Sequence, residues 1–203
     1  MHWLENRVER TWDVLLIGGA SGTGKTRISY RIARHFDVGI TEVDDFHEML
    51  LRMTTPEQQP ALHYWNTHPE AVYLPAEKIV EQGFEVRAAL SPGLEAVIAN
   101  HLESHTPVVL EGDFIQPALA AQDAFGDELN NGRVKAIFLI ETDELQLRRN
   151  FLLREPEAGE QVKRAQVSWL QGQWTMQEAT RLGVPTVLAR PWADVFERVL
   201  KII

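Results

Sequence analysis

Residues 18–26 read Gly-Gly-Ala-Ser-Gly-Thr-Gly-Lys-Thr, and what flanks them decides how the rest of the chain is organised. Just before them, Val14-Leu-Leu-Ile17 is a short apolar run of the kind that forms a buried strand. Just after them, Ile28, Ile32, Ala33 and Phe36 recur at helical spacing, with Arg27, Arg31 and Arg34 between. The glycines allow a turn tight enough for successive N–H groups to face one anion. The helix that follows aims the positive end of its dipole at the same point.

Gly19-x-x-x-x-Gly24-Lys25-Thr26 satisfies the Walker A pattern at every fixed position, between a strand and a helix as that pattern requires. Gly19, Ala20, Ser21, Gly22, Thr23 and Gly24 are therefore the expected phosphate cradle. Lys25 is placed to reach the β- and γ-phosphates, and Thr26 to offer its hydroxyl to Mg²⁺. The bland alternative, a glycine turn with an incidental lysine, explains neither flank.

The 203 residues suffice for one domain with a real core. Without cysteine there are no disulfides or thiolate metal sites, and nothing points to an oxidising compartment. The stretch MHWLENRVER is charged and lacks the apolar segment of a signal peptide, and no apolar run nears the roughly 18 residues of a membrane span. A cytoplasmic protein is the expectation. The net charge of −9 disfavours nucleic acid and anionic membranes as partners, yet leaves room for a local cluster of cations around a phosphorylated ligand. The six tryptophans read as core or pocket-lining residues.

Further strands are expected at 38–43, 107–110, 134–140 and 185–189, and helices at 143–153, 161–182 and 192–202. Between 76 and 103 the apolar spacing predicts helices broken near Ser91-Pro92-Gly93. Strands alternating with helices imply an α/β fold, a parallel sheet covered on both faces. The segment from about 50 to 104 is too long for a simple crossover and reads as a helical insertion over the strand ends.

Acidic residues gather where such sheets bind ligands, beyond the carboxyl ends of strands. Asp44 and Asp45 follow the second strand; either could orient a hydroxyl and take its proton, or cap the next helix. Glu111 and Asp113 follow the third strand in Glu-Gly-Asp; one could hold Mg²⁺, and strand alternation would point both to one side. Arg148, Arg149 and Arg154, with Lys163 and Arg164 behind them, could close over a transferring phosphoryl group, although Arg148 and Arg154 share a helical face only if the helix breaks between them. A mobile lid is expected at about 149–164. Arg190 and Trp192 are placed to border an adenine, or else the helix simply starts at Pro191 with Trp192 in the core.

There is no Asn-Lys-x-Asp guanine motif, no Leu-Ser-Gly-Gly-Gln transporter signature, and little length for an oligomeric motor. Taken in order, the strand, phosphate loop, Asp-Asp rim, acidic third strand and arginine-bearing helix make the whole chain resemble the nucleoside/nucleotide-kinase-like group of P-loop small-molecule kinases. Asp44-Asp45-Phe46 looks like the Asp-Asp-Phe of uridine- and nicotinamide-riboside-kinase-like proteins. Residues 18–26, His63-Tyr64-Trp65 and 111–117 look similar to segments of 2-phosphoglycerate kinase-like proteins, a likeness that departs in the insertion. The resemblance implies a three-layer P-loop NTPase fold with strand order 2-3-1-4-5, use of ATP with Mg²⁺, a movable lid, a small-molecule hydroxyl acceptor and a monomer or homodimer. His47, His63, Tyr64, Trp65 and His68 are candidate acceptor contacts. Two other readings stand beside this one: a nucleotide-dependent regulatory ATPase with no acceptor, and a toxin- or resistance-type kinase acting on a nucleotide sugar or antibiotic.

Overall fold

The computed structural model of the protein describes residues 9–203; the charged N-terminal stretch lies largely in residues 1–8, outside the described residues. Five parallel strands form the sheet: β1 (Val14–Gly18), β2 (Gly39–Glu42), β3 (Val108–Gly112), β4 (Val134–Ile140) and β5 (Thr186–Leu188). Their spatial order is β2-β3-β1-β4-β5, the expected 2-3-1-4-5 arrangement. A separate antiparallel pair, Ala124–Phe125 with Glu128–Leu129, has too few residues to show in the sequence pattern.

Alternation along the buried strands divides the core in two. Val14 and Leu16 of β1, with Val108 and Leu110 of β3, face Leu90, Leu94 and Ile98 of α4 (Ala76–Glu103). Leu15, Ile17, Val109, Ile137 and Leu139 face the opposite way, against Ile28, Ile32 and Phe36 of α1 (Lys25–Phe36) and Phe196 and Val199 at the C-terminus. The result is three layers, helix on sheet on helix, with helices on both faces.

Two sequence expectations are corrected. Residues 76–103 form one unbroken helix that contains Pro92. An interior proline costs about 3 kcal/mol, but Leu90, Leu94 and Ile98 lie on one face at fourfold spacing and each is fully buried. Burying three such side chains returns about 1.5–3 kcal/mol apiece, enough to carry the helix through. The second correction concerns α2 (Val43–Met53), whose N-cap is Glu42. Val43 is drawn into the core beneath the strand ends, so the strand stops one residue early and the helix starts there. Asp44 and Asp45 thus sit within the first helical turn, where the helix dipole favours them, and neither is the cap.

Past α2 the chain makes turns, a short helix α3 (Tyr64–Thr67) and a 3₁₀ turn (Pro69–Tyr73) before entering α4. On the other side, α5 (Pro117–Ala120) follows β3, α6 (Glu144–Arg154) follows β4, α7 (Val162–Leu182) leads into β5, and α8 (Val195–Leu200) closes the chain. Among the described residues no helix is long and apolar enough to cross a membrane.

Candidate active site

The phosphate loop leaves β1 and enters α1 through Gly24, which has φ 90° and is the N-cap of that helix. A Cβ at Gly24 would meet the Trp192 ring at 2.5 Å, so glycine is required there by both conformation and space. Thr23 turns its hydroxyl back onto the Ala20 carbonyl oxygen at 3.0 Å, fixing the loop from within. Asn150 of α6 fixes it from outside, its Nδ2 donating to the Gly22 carbonyl oxygen at 2.8 Å. A tied-down carbonyl leaves the loop N–H groups free for an anion.

Two cavities meet at this loop. One, of about 570 Å³, is lined by residues 22–27 together with Asn150, Leu153, Arg154, Arg190 and Trp192. The other, of about 630 Å³, reaches from Ser21 across Asp44 and Asp113 to the walls formed by α4 and α7. Lys25, only 8% exposed, lines the first cavity and donates a hydrogen bond to the Asp113 carboxylate, which lines the second. That ion pair stands at the divide between them.

The four acidic candidates separate by position. Asp44 lines the larger cavity, while Asp45 is exposed and lines neither. Although Asp44 remains open to solvent, the protein packed around its carboxyl raises its pKa, Asp113 adds to the rise, and Lys25 opposes it. Glu111 is 3% exposed, and its Oε2 is buried with no hydrogen-bond partner among the described residues. Burial pushes its carboxyl up, with the Lys25 charge and the Thr26 hydroxyl pulling the other way. Because β3 ends at Gly112, strand alternation does not extend to Asp113, and the two acids serve different neighbours: Glu111 beside Thr26, Asp113 on Lys25.

An unsatisfied buried carboxylate oxygen beside the Thr26 hydroxyl is a donor set that fits Mg²⁺. Among the described residues no three His, Cys, Asp or Glu side chains cluster around a metal position. A magnesium ion here would take its other ligands from phosphate oxygens and water, as that ion commonly does.

The arginines separate by helical phase. Leu147 and Phe151 face the interior, while Asn150 and Arg154, four residues apart, share the face toward the phosphate loop. α6 runs unbroken through Arg154, so Arg148 lies on another face, bound to Glu144 at 2.5 Å, and Arg149 is exposed. Neither lines either of the two cavities at the loop. Glu155 accepts from Arg154 at 2.9 Å and Arg164 at 2.8 Å, joining α6 to α7 across the 3₁₀ turn Pro156–Ala158. Lys163 donates to the carbonyl oxygens of Val72 at 3.3 Å and Leu74 at 2.8 Å.

Arg190 and Trp192 both line the loop cavity, with Arg27 over the Trp192 ring at 5.8 Å. Of the aromatic and histidine candidates, His47 and Trp65 line the larger cavity. His63 is buried against Thr54 at 3.0 Å, and Tyr64 stacks on His68 at 4.4 Å; none of these three lines either of the two cavities.

Three contributors escaped the sequence reading. Glu141, 3% exposed after β4, accepts from Arg190 Nε at 3.2 Å; Arg190 in turn approaches Asn150 Oδ1 at 3.4 Å, completing a path to the loop. In the sequence Asn150 is one polar residue among several on its helix, with no motif around it. Arg87 projects from the middle of α4 into the larger cavity, its Nε donating to the Asp113 carbonyl oxygen at 2.8 Å. Its one available signal was Gly83, a glycine in a helix interior one turn earlier.

No protein-family model matches the chain. A 2-phosphoglycerate kinase of Methanothermobacter thermautotrophicus is 26% identical over 134 residues, covering 63% of this chain and 44% of that protein, so the match spans under half of the relative's length. Among solved structures, a gluconokinase from Sinorhizobium meliloti 1021 superimposes with a TM-score of 0.50 at 20% identity, covering 95% of this chain and 92% of that one. A sugar kinase from Janibacter sp. HTCC2649 gives 0.55 at 17% identity, covering 94% of each chain. A shikimate kinase from Acinetobacter baumannii in complex with shikimate gives 0.55 at 16% identity, covering 94% and 92%. In fold the chain is a P-loop kinase-like α/β protein, and it is similar to P-loop small-molecule kinases.

Proposed function

We propose that this chain is an ATP-dependent phosphotransferase that moves the γ-phosphoryl group to a hydroxyl of a small metabolite. The observation that carries this reading is the meeting of two cavities at one phosphate loop, with Lys25 in the first paired to Asp113 in the second. A nucleotide phosphate chain in the loop cavity would end beside the cavity that holds the hydroxyl.

Asp44 is the group that orients this hydroxyl and takes its proton as the new O–P bond forms and the bond to the leaving diphosphate breaks. Its raised pKa makes it a stronger base. Lys25 exchanges Asp113 for phosphate oxygens, and the loop N–H groups hold the same anion against the end of α1. Thr26 and Glu111 are the residues that would hold Mg²⁺, which supplies charge neutralisation at the phosphates. Arg154 is the lid arginine best placed to act on the phosphates, since it lines the loop cavity. Residues 149–164 act as the lid, and the segment from about 50 to 104 supplies the acceptor walls within the same single domain.

The test is to supply ATP and Mg²⁺ with a panel of hydroxylated metabolites and follow ADP together with phosphorylated product. Acceptor-stimulated ADP release that is lost in Asp44→Asn, with ATP affinity kept, is the expected result. Tight ATP binding without acceptor dependence across a broad panel would instead favour a nucleotide-driven switch.

A further inference from the structure

We infer that the acceptor is an organic anion with a single negative group held by Arg87 and an apolar body much larger than a three-carbon acid. This rests on the phosphotransferase reading above and names the class of molecule its larger cavity takes.

Arg87 is the only cation of that cavity whose terminal nitrogens lack an acceptor among the described residues. Among the described residues its side chain makes one hydrogen bond, from Nε to the Asp113 carbonyl oxygen at 2.8 Å, and no ion pair, with its guanidinium carbon 5.6 Å from the Phe84 ring centroid. The other two cations lining the cavity each have acceptors at a terminal nitrogen: Lys163 the carbonyl oxygens of Val72 and Leu74, Arg164 through Nη1 both Glu155 and Gln161, its guanidinium carbon 4.5 Å from the Phe151 ring centroid. Gly83, one turn before Arg87, borders the guanidinium: a Cβ there would stand 2.7 Å from Nη1, the mobile end of the side chain. Burial works against the guanidinium charge, partly offset by Asp113 and Asp44. A guanidinium cannot shed its proton, and a planar anion on its two free nitrogens relieves that cost.

The same cavity argues against a polyanion. Asp44, Glu48 and Asp113, the last released when Lys25 turns to phosphate, also line it, and each further negative charge on the ligand would meet them. One anionic group matches one unengaged guanidinium.

Size and lining decide the remainder. A cavity near 150 Å³ holds a benzene ring; this one is about 630 Å³ and opens onto the phosphate loop at Ser21. Val72, Ile79, Val80, Val86, Phe114 and Val167 supply apolar walls. A three-carbon acid would leave most of that surface wet, whereas a ring or branched chain would cover it.

The test measures binding of four probes to the full chain saturated with ADP and Mg²⁺: mandelate, its uncharged counterpart 1-phenylethane-1,2-diol, glycerate and 2-phosphoglycerate. Mandelate should bind at least about tenfold more tightly than each of the others. Arg87→Gln should reduce mandelate to the level of the diol without changing ADP affinity. Gly83→Ala, which favours the helix while crowding Nη1, should weaken mandelate and leave the diol unchanged, giving a second measurement where folding is not at stake. The inference is overturned if glycerate or 2-phosphoglycerate binds as tightly as mandelate, if the diol equals mandelate in the unaltered protein, if the two variants keep the original preference, or if none of the four binds while ADP does. Failure of the unaltered protein to bind ADP would strike the phosphotransferase reading instead, so the two failures are distinguishable.

Discussion

Lys25 and Asp113, 88 residues apart in sequence, form an ion pair with side chains 9% and 27% exposed, and each lines a different cavity. The pair neutralises the lysine that the phosphate loop would otherwise hold as a nearly buried, unpartnered charge. Nucleotide phosphates offer that lysine a second partner.

Asp113→Asn should therefore destabilise the nucleotide-free protein more than the nucleotide-bound one. A loss of about 1–2 kcal/mol corresponds to roughly 2–8 °C in Tm for a chain of this size. Thermal unfolding with and without ATP checks this: the variant should gain more from ATP than the unaltered protein does. Equal gains would show that the pair contributes nothing to the empty state.

Asp44→Asn should lower acceptor-dependent kcat by about 10²–10⁴-fold, the range of a lost general base. Stability should move the other way. The folded carboxyl has a pKa above the ordinary 3.8 of a free aspartate, so between 3.8 and that raised value the folded state binds more protons than the unfolded one. Stability in that window falls as pH rises. The asparagine variant escapes this loss, and its Tm at pH 7 should equal or exceed that of the unaltered protein, with the advantage vanishing in acid below about pH 4.

Glu111→Gln tests the magnesium assignment by the same logic. Burial raises this carboxyl above the ordinary 4.5 of a free glutamate, so the charged form is the disfavoured one at neutral pH. Substitution should raise the Mg²⁺ concentration needed for half-maximal turnover by about tenfold or more. It should also raise Tm at pH 7, an advantage lost as pH falls through 4.5. A Tm gain without any change in Mg²⁺ dependence would remove Glu111 from the metal site.

Asn150→Ala removes the donor to the Gly22 carbonyl oxygen. A hydrogen bond of net worth about 0.5–1.5 kcal/mol predicts a rise of roughly 2- to 12-fold in KM for ATP. KM for the acceptor should stay unchanged, because Asn150 lines only the loop cavity. A parallel change in both constants would point to general loosening of α6.

The stretch from Val14 to Phe36 carries its own explanation: buried strand, glycine turn, lysine and amphipathic helix are contacts among neighbours, so their meaning is legible in order. The alternation of strands and helices, and with it the layered sheet, follows from the same short-range periodicities. Pro92 shows where that reading stops, because a local helix breaker was overruled by the sheet against which Leu90, Leu94 and Ile98 lie.

What only the tertiary structure decided is the assignment of side chains to the site. Asp44 and Asp45 are adjacent in sequence and about 100° apart on a helix, so the burial of Val43 beneath the strand ends sets which one meets the cavity. Arg87 is one charged residue among several in α4, and nothing in its own helix beyond Gly83 marks it for the site; the passage of α4 over the end of β3 brings it to Asp113. Asn150 meets Gly22 across 128 residues, and Glu141 meets Arg190 across 49. Sequence periodicity reports which face of an element turns inward, because that depends on neighbours a few residues away. It carries no register between distant elements, and in this protein that register joins the two cavities at Lys25 and Asp113.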